Sequence, residues 1–121
     1  MVKVENDFIS YEIKEGVLFA AYKENVIITE DVAKQVVDDR LKLQDGNSYP
    51  ALVDCRGIKY ASSAGQKILA EQGSEGMTKI ALIVANFALA IMGDFYLYFS
   101  KPKSQTKAFS NKKKAMKWLL S

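Results

Sequence analysis

The segment Ala51-Leu52-Val53 lies between Pro50 and Gly57 and is followed directly by Asp54. An apolar run this short, closed by turn formers on both sides, reads as a strand covered on both faces and central in its sheet. A chain of 121 residues can bury such a strand, because a domain near this size removes about two-thirds of its unfolded surface from water. Apolar residues at 49% and charged residues at 26% are ordinary for a globular chain. One domain spanning 1–121 is expected.

The pattern around that strand alternates in period. Ile9, Tyr11 and Ile13 alternate with polar residues, Glu15-Gly16 breaks the run, and Val17 to Tyr22 resumes it, which predicts an antiparallel hairpin. From Thr29 the period becomes helical. Thr29 is a good N-cap, Glu30 and Asp31 suit the positive end of a helix, and Val32, Val36, Val37 and Leu41 form one stripe that should stop near Asp45-Gly46. Ser62 or Ser63 would cap a second helix carrying Ala64, Ile68 and Leu69 and ending in QGSEG, and Ile80 to Ala85 follows as another buried strand.

Asn86 would cap a third helix with Phe87, Ile91, Phe95 and Phe99 four apart. The run Phe95, Tyr96, Leu97, Tyr98, Phe99 makes that helix apolar on nearly every side, so one face needs cover from outside its own sheet. Thr106 to Phe109 fits a short edge strand, and Ser110 or Asn111 would cap a last helix with Ala115, Met116, Leu119 and Leu120 inward and Trp118 beside them. The predicted order is β-β-α-β-α-β-α-β-α: an α/β fold with an N-terminal hairpin, about four helices and a mixed, mainly parallel sheet.

Charge is divided along the chain. All 14 acidic residues fall within 1–100, whereas residues 101–121 hold seven lysines and no acid. The lysines at 112–114 could meet phosphates, but an acidic body and the lack of arginine or an aromatic platform beside them argue against nucleic acid. The lone Cys55 cannot form an internal disulfide, and MVKVENDF is charged where a signal peptide needs an apolar core; a cytoplasmic location is expected. The apolar stretch from Ile80 to Phe99 is interrupted by Asn86, Gly93 and Asp94, so no membrane span is expected.

Catalytic machinery is hard to assemble from these residues. With no histidine and one cysteine there is no Ser-His or Cys-His couple and no zinc cluster, and neither a GxxxxGK nor a GxGxxG loop is present. No enzyme activity, metal or cofactor is expected. Asp54 lies at the carboxyl end of the central strand, where ligands of open α/β sheets gather, or else accepts hydrogen bonds from the backbone or Arg56. Arg56 could anchor a carboxylate or phosphate or stabilise the turn. Ser62 and Ser63 lie at a helix start, where N–H groups and the macrodipole stabilise an added phosphate, although capping alone also accounts for both.

The element order, with VDCRGIKYASSAG between the central strand and the second helix, resembles the STAS domains of anti-sigma-factor antagonists. In that family an aspartate ends the strand, a hydrophobic residue follows four positions later, and an Asp-Ser-Ser/Thr-Gly tetrad opens the helix. Asp54 and Ile58 match the first two places, and Ser62, Ser63, Ala64 and Gly65 occupy the tetrad. The resemblance maps the family's phosphorylated serine to Ser63 and its glycine to Gly65, while Ser62 replaces the aspartate and Ala64 the second hydroxyl. The ending AFSNKKKAMKWLL also resembles small bacterial STAS/SEC14-like proteins.

The resemblance implies a non-enzymatic regulatory module that recognises a protein partner through the Arg56 to Gly65 surface. The alternative is a small domain for an apolar or lipid-like ligand of the SEC14-like kind, with the aromatic run lining its pocket. A homodimer is expected, with Phe95, Tyr96, Tyr98 and Phe99 contributing.

Overall fold

Strand β5 (Tyr49–Asp54) runs between β3 (Val17–Tyr22) and β7 (Met77–Ile83), parallel to both, at the interior position its apolar run demands. The structure is a computed structural model that describes residues 2–85 and 104–121. Its main sheet has six strands in the order β1-β2-β3-β5-β7-β8, with β1 (Val2–Glu5), β2 (Ile9–Lys14) and β8 (Gln105–Phe109) completing it. The β1/β2 and β2/β3 pairs are antiparallel and the others parallel, so the sheet is mixed. At the predicted hairpin, Glu15 and Gly16 take φ of 52° and 78°, the left-handed values a tight two-residue turn between twisted strands requires.

A second, parallel pair joins β4 (Val26–Ile28) to β6 (Ile58–Ala61). Helix α1 (Glu30–Gln44) opens on Thr29, whose hydroxyl accepts from Val32 N at 3.3 Å, and closes on Asp45 in the left-handed region. Helix α2 (Ser63–Gln72) opens on Ser62 and closes on Gly73; α3 (Lys112–Leu119) opens on Asn111, which accepts from Lys114 N at 3.1 Å.

Strand alternation divides the interior into two cores. Ile9, Tyr11, Leu18, Ala20, Val53 and Leu82 point to one face, where Val36, Val37 and Leu69 of α1 and α2 cover them. Val17, Leu52, Ala81 and Ile83 point to the other, where Ala115 and Leu119 of α3 cover them and Trp118 lies 5.6 Å from Phe109.

The expected order needs three corrections. Strand β1 extends the hairpin to a three-stranded meander, and β4 and β6 form a separate ribbon. Short strands without a long alternating run leave little periodic signal. The described residues contain three helices rather than about four; the helix expected after Asn86, with its aromatic run, lies outside the described residues. Among the described residues, no helix is long and apolar enough to cross a membrane.

The inward stripe of α1 also carries two polar residues. Arg40, 2% exposed, donates from Nη1 to Gln44 Oε1 and Glu75 O, both at 2.6 Å, and from Nη2 to Gln72 O and Gly73 O, both at 3.3 Å. Gln44 Nε2 donates to Asn47 O at 3.0 Å and Gly76 O at 2.9 Å. The guanidinium therefore answers carbonyls left without helical partners at the C-terminus of α2, where the macrodipole favours a cation. Burial pulls the Arg40 pKa below its ordinary value, while Tyr11, Tyr22 and Glu75 act in the opposite direction.

Candidate functional site

Asp54 closes β5 with Ala21 of β3 on one side and Ile83 of β7 on the other, which places it at the carboxyl end of the sheet's interior. Its carboxylate is already engaged. Arg56 donates from its backbone N to Oδ1 at 3.1 Å, from Nε to Oδ1 at 3.0 Å and from Nη2 to Oδ2 at 2.7 Å, a bidentate pair closed by a local turn. Burial raises the Asp54 pKa, but the Arg56 hydrogen bonds and the charges of Arg56 and Lys112 outweigh it and hold the carboxyl below its ordinary value. Asp54 correspondingly raises the Arg56 pKa. The pair behaves as a self-contained turn.

Cys55 points the other way, into the first core, with Sγ 3.8 Å from Val53 O. Burial pushes its thiol far above the ordinary range. Beyond it, Gly57 O accepts from Val26 N at 3.1 Å and starts the β4–β6 ribbon. Within the ribbon Ile27 and Tyr60 are register partners, and both side chains are exposed, at 48% and 59%. Composition alone carried no sign of this exposed apolar pair, because its strands are too short to show alternation.

The helix start follows at once. Ser62 N donates to Ile28 O at 2.9 Å, Ser62 Oγ lies 3.3 Å from the same carbonyl, and that hydroxyl accepts from Gly65 N at 3.0 Å. A Cβ on Gly65 would sit 2.5 Å from Ile28 O, so only glycine lets the first turn of α2 rest on the end of β4. Gln66 Nε2 adds a bond to Ala61 O at 2.9 Å. Of the two serines, Ser62 is consumed by the cap, whereas Ser63 is the first residue of the helix and exposed.

The sequence candidates thus fall into two groups. Ser62, Ser63 and Gly65 cluster at the start of α2, which packs on the first face of the sheet, whereas Asp54 and Arg56 form their own pair at the strand end beside Lys112. Among the described residues, no hydrogen bond or ion pair joins the groups. Phe95, Tyr96, Tyr98 and Phe99 lie outside the described residues. Nor do the described residues contain a cluster of three or more His, Cys, Asp or Glu able to hold a metal.

Residues 11–121 match the family described as a domain of unknown function, DUF7793. The chain belongs to that family. A search of curated proteins found no match. Among solved structures, the family member is similar to an uncharacterised DUF3478-family protein with a SpoIIAA-like fold from Shewanella loihica PV-4, at TM-score 0.61 and 18% identity over 96% of this chain and 98% of that one. It is also similar to a serine-to-glutamate variant of RsbS from Moorella thermoacetica, at TM-score 0.62 and 15% identity over 93% and 94% of the two chains. The fold of this DUF7793 chain is therefore STAS-like, of the SpoIIAA type.

Proposed function

We propose that this STAS-like chain is a non-enzymatic regulatory module that docks a protein partner on the surface from Arg56 to Gly65, with Ser63 as its modifiable centre. The observation that carries this reading is the division of labour between two adjacent serines. Ser62 is tied to Ile28 and Gly65, so the helix start is held rigidly, while Ser63 remains exposed on it. A phosphate on Ser63 would meet the positive end of α2 without breaking the cap. The exposed Ile27–Tyr60 pair, on the ribbon that leads into α2, supplies apolar contact area of the kind partner surfaces use.

The fold likeness to RsbS is consistent with a regulatory role. A lipid-like ligand finds little support where a helix-lined pocket would be expected: the gap between the sheet and α1–α2 among the described residues is about 20 Å³, far below the several hundred Å³ of a usual ligand pocket. Affinity capture from native lysate, comparing the wild type with Ser63→Asp, tests the partner surface. The expected result is a partner retained by the wild type and weakened by the variant; equal retention removes Ser63 from the site.

The same reading includes a homodimer to which Phe95, Tyr96, Tyr98 and Phe99 contribute, supported by the density of aromatic residues at 95–99. Sedimentation equilibrium at high protein concentration should give the dimer mass, and a sharply monomeric profile contradicts it.

A further inference from the structure

The second face of the sheet holds a feature unrelated to partner docking. Among the described residues, helix α3 packs on β5, β7 and β8, and of the β1–β3 side of that face it covers only the edge at Val17 and Phe19. Strand register lines up two rows of side chains there. One row runs Lys3, Glu12, Phe19, Leu52 and the other Ser10, Ala21, Asp54, Ile83. The small Ser10 and Ala21 leave a depression beside Phe19 and Leu52, and Lys112 of α3 forms a wall. The result is a half-open cavity of about 180 Å³.

Its lining carries two lysines and two carboxylates, and Arg56 on Asp54 beside it adds a third cation. Lys3 and Glu12 are register partners of opposite charge, and both carboxylate oxygens of Asp54 are taken by Arg56. Lys112, whose charge also acts on Asp54, has its Nζ 5.6 Å from the centre of the Phe19 ring that forms part of the floor. An apolar floor with the Lys112 ammonium over its Phe19 ring suits a flat apolar body carrying a negative group. Size agrees, since a cavity of about 150 Å³ accommodates benzene.

We propose that this cavity binds a small organic anion with a flat apolar body, of which an aromatic carboxylate is the simplest case. The ring lies against Phe19, Ala21 and Leu52, and the carboxylate meets Lys112. Sodium benzoate and benzylamine serve as probes, titrated into the isotope-labelled chain and followed through backbone amide shifts. Benzoate should give saturable shifts at Ser10, Phe19, Ala21 and Lys112 with a Kd on the order of 1 mM, and Lys112→Glu should weaken binding by roughly tenfold or more.

Lys113→Glu makes the same change in net charge in the same helical turn without altering the cavity lining. It should leave benzoate binding intact. Lys112 and Lys113 are both exposed, so neither substitution disturbs a core. Three results overturn the site: no saturable shifts, tighter binding of benzylamine than of benzoate, or equal weakening by Lys112→Glu and Lys113→Glu.

Discussion

Ser62 is bound to Ile28 through its backbone N–H at 2.9 Å, and its hydroxyl stands 3.3 Å from the same carbonyl, so the end of β4 and the start of α2 form one rigid corner. The hydroxyl also accepts from Gly65 N. Every property assigned to Ser63 depends on this corner, because it sets the direction in which the first turn of the helix leaves the sheet.

Gly65→Ala should break the corner. The added methyl would meet Ile28 O at 2.5 Å, and a backbone carbonyl cannot swing aside as a flexible side chain can. A loss of about 2 kcal/mol is expected, read as a lower urea midpoint with unchanged slope. Ser62→Ala should cost about 1 kcal/mol by removing the cap alone.

Arg40→Met should be the most damaging single change in α1. It keeps much of the side-chain volume but strips the donors from Glu75 O, Gly73 O and Gln72 O and leaves Gln44 Oε1 unanswered. Unsatisfied buried and half-buried carbonyls put the loss at about 3 kcal/mol, measurable by equilibrium unfolding. Wild-type stability in the variant would show that water or side-chain rearrangement replaces those bonds.

The sequence reveals its own caps and turns more readily than its long-range pairs. Thr29, Asn111 and the Glu15-Gly16 turn act within three or four residues, and each is legible because the chemistry and its partner share one short segment. The Ser62 cap is half legible, since either serine could have served. Arg40 is hidden: a charged residue on an amphipathic helix reads as its solvent side, and its three carbonyl partners lie more than thirty positions away. The alignment of Lys3, Phe19 and Asp54 beside Lys112 likewise exists only once strand register and α3 are in place.

Asp54 should contribute a pH-dependent share of stability. Its pKa in the folded chain lies below the ordinary value of 3.8, so the unfolded chain binds the proton more readily. The stabilisation is present above the unfolded pKa and lost as pH falls through the lower folded one. Between about pH 5 and pH 2 the wild type should lose more stability than Asp54→Asn. Urea midpoints across that range check it, and parallel curves would remove Asp54 as a contributor.

Cys55 should be inert in the folded chain. Its burial and raised thiol pKa leave little thiolate to react. Alkylation by iodoacetamide should proceed only as fast as the protein opens, and should become rapid in denaturant. Rapid labelling under native conditions would place the thiol in contact with solvent.

The partner surface centred on Ser63 is tested most directly by quantitative capture from native lysate, with wild type, Ser63→Asp and the distal control Lys117→Asp as baits. Ser63 and Lys117 are both exposed and lie on helices that cover opposite faces of the sheet. A partner held by wild type and Lys117→Asp but depleted roughly tenfold on Ser63→Asp is the predicted result. Equal recovery on all three baits contradicts the assignment of Ser63 to a docking surface.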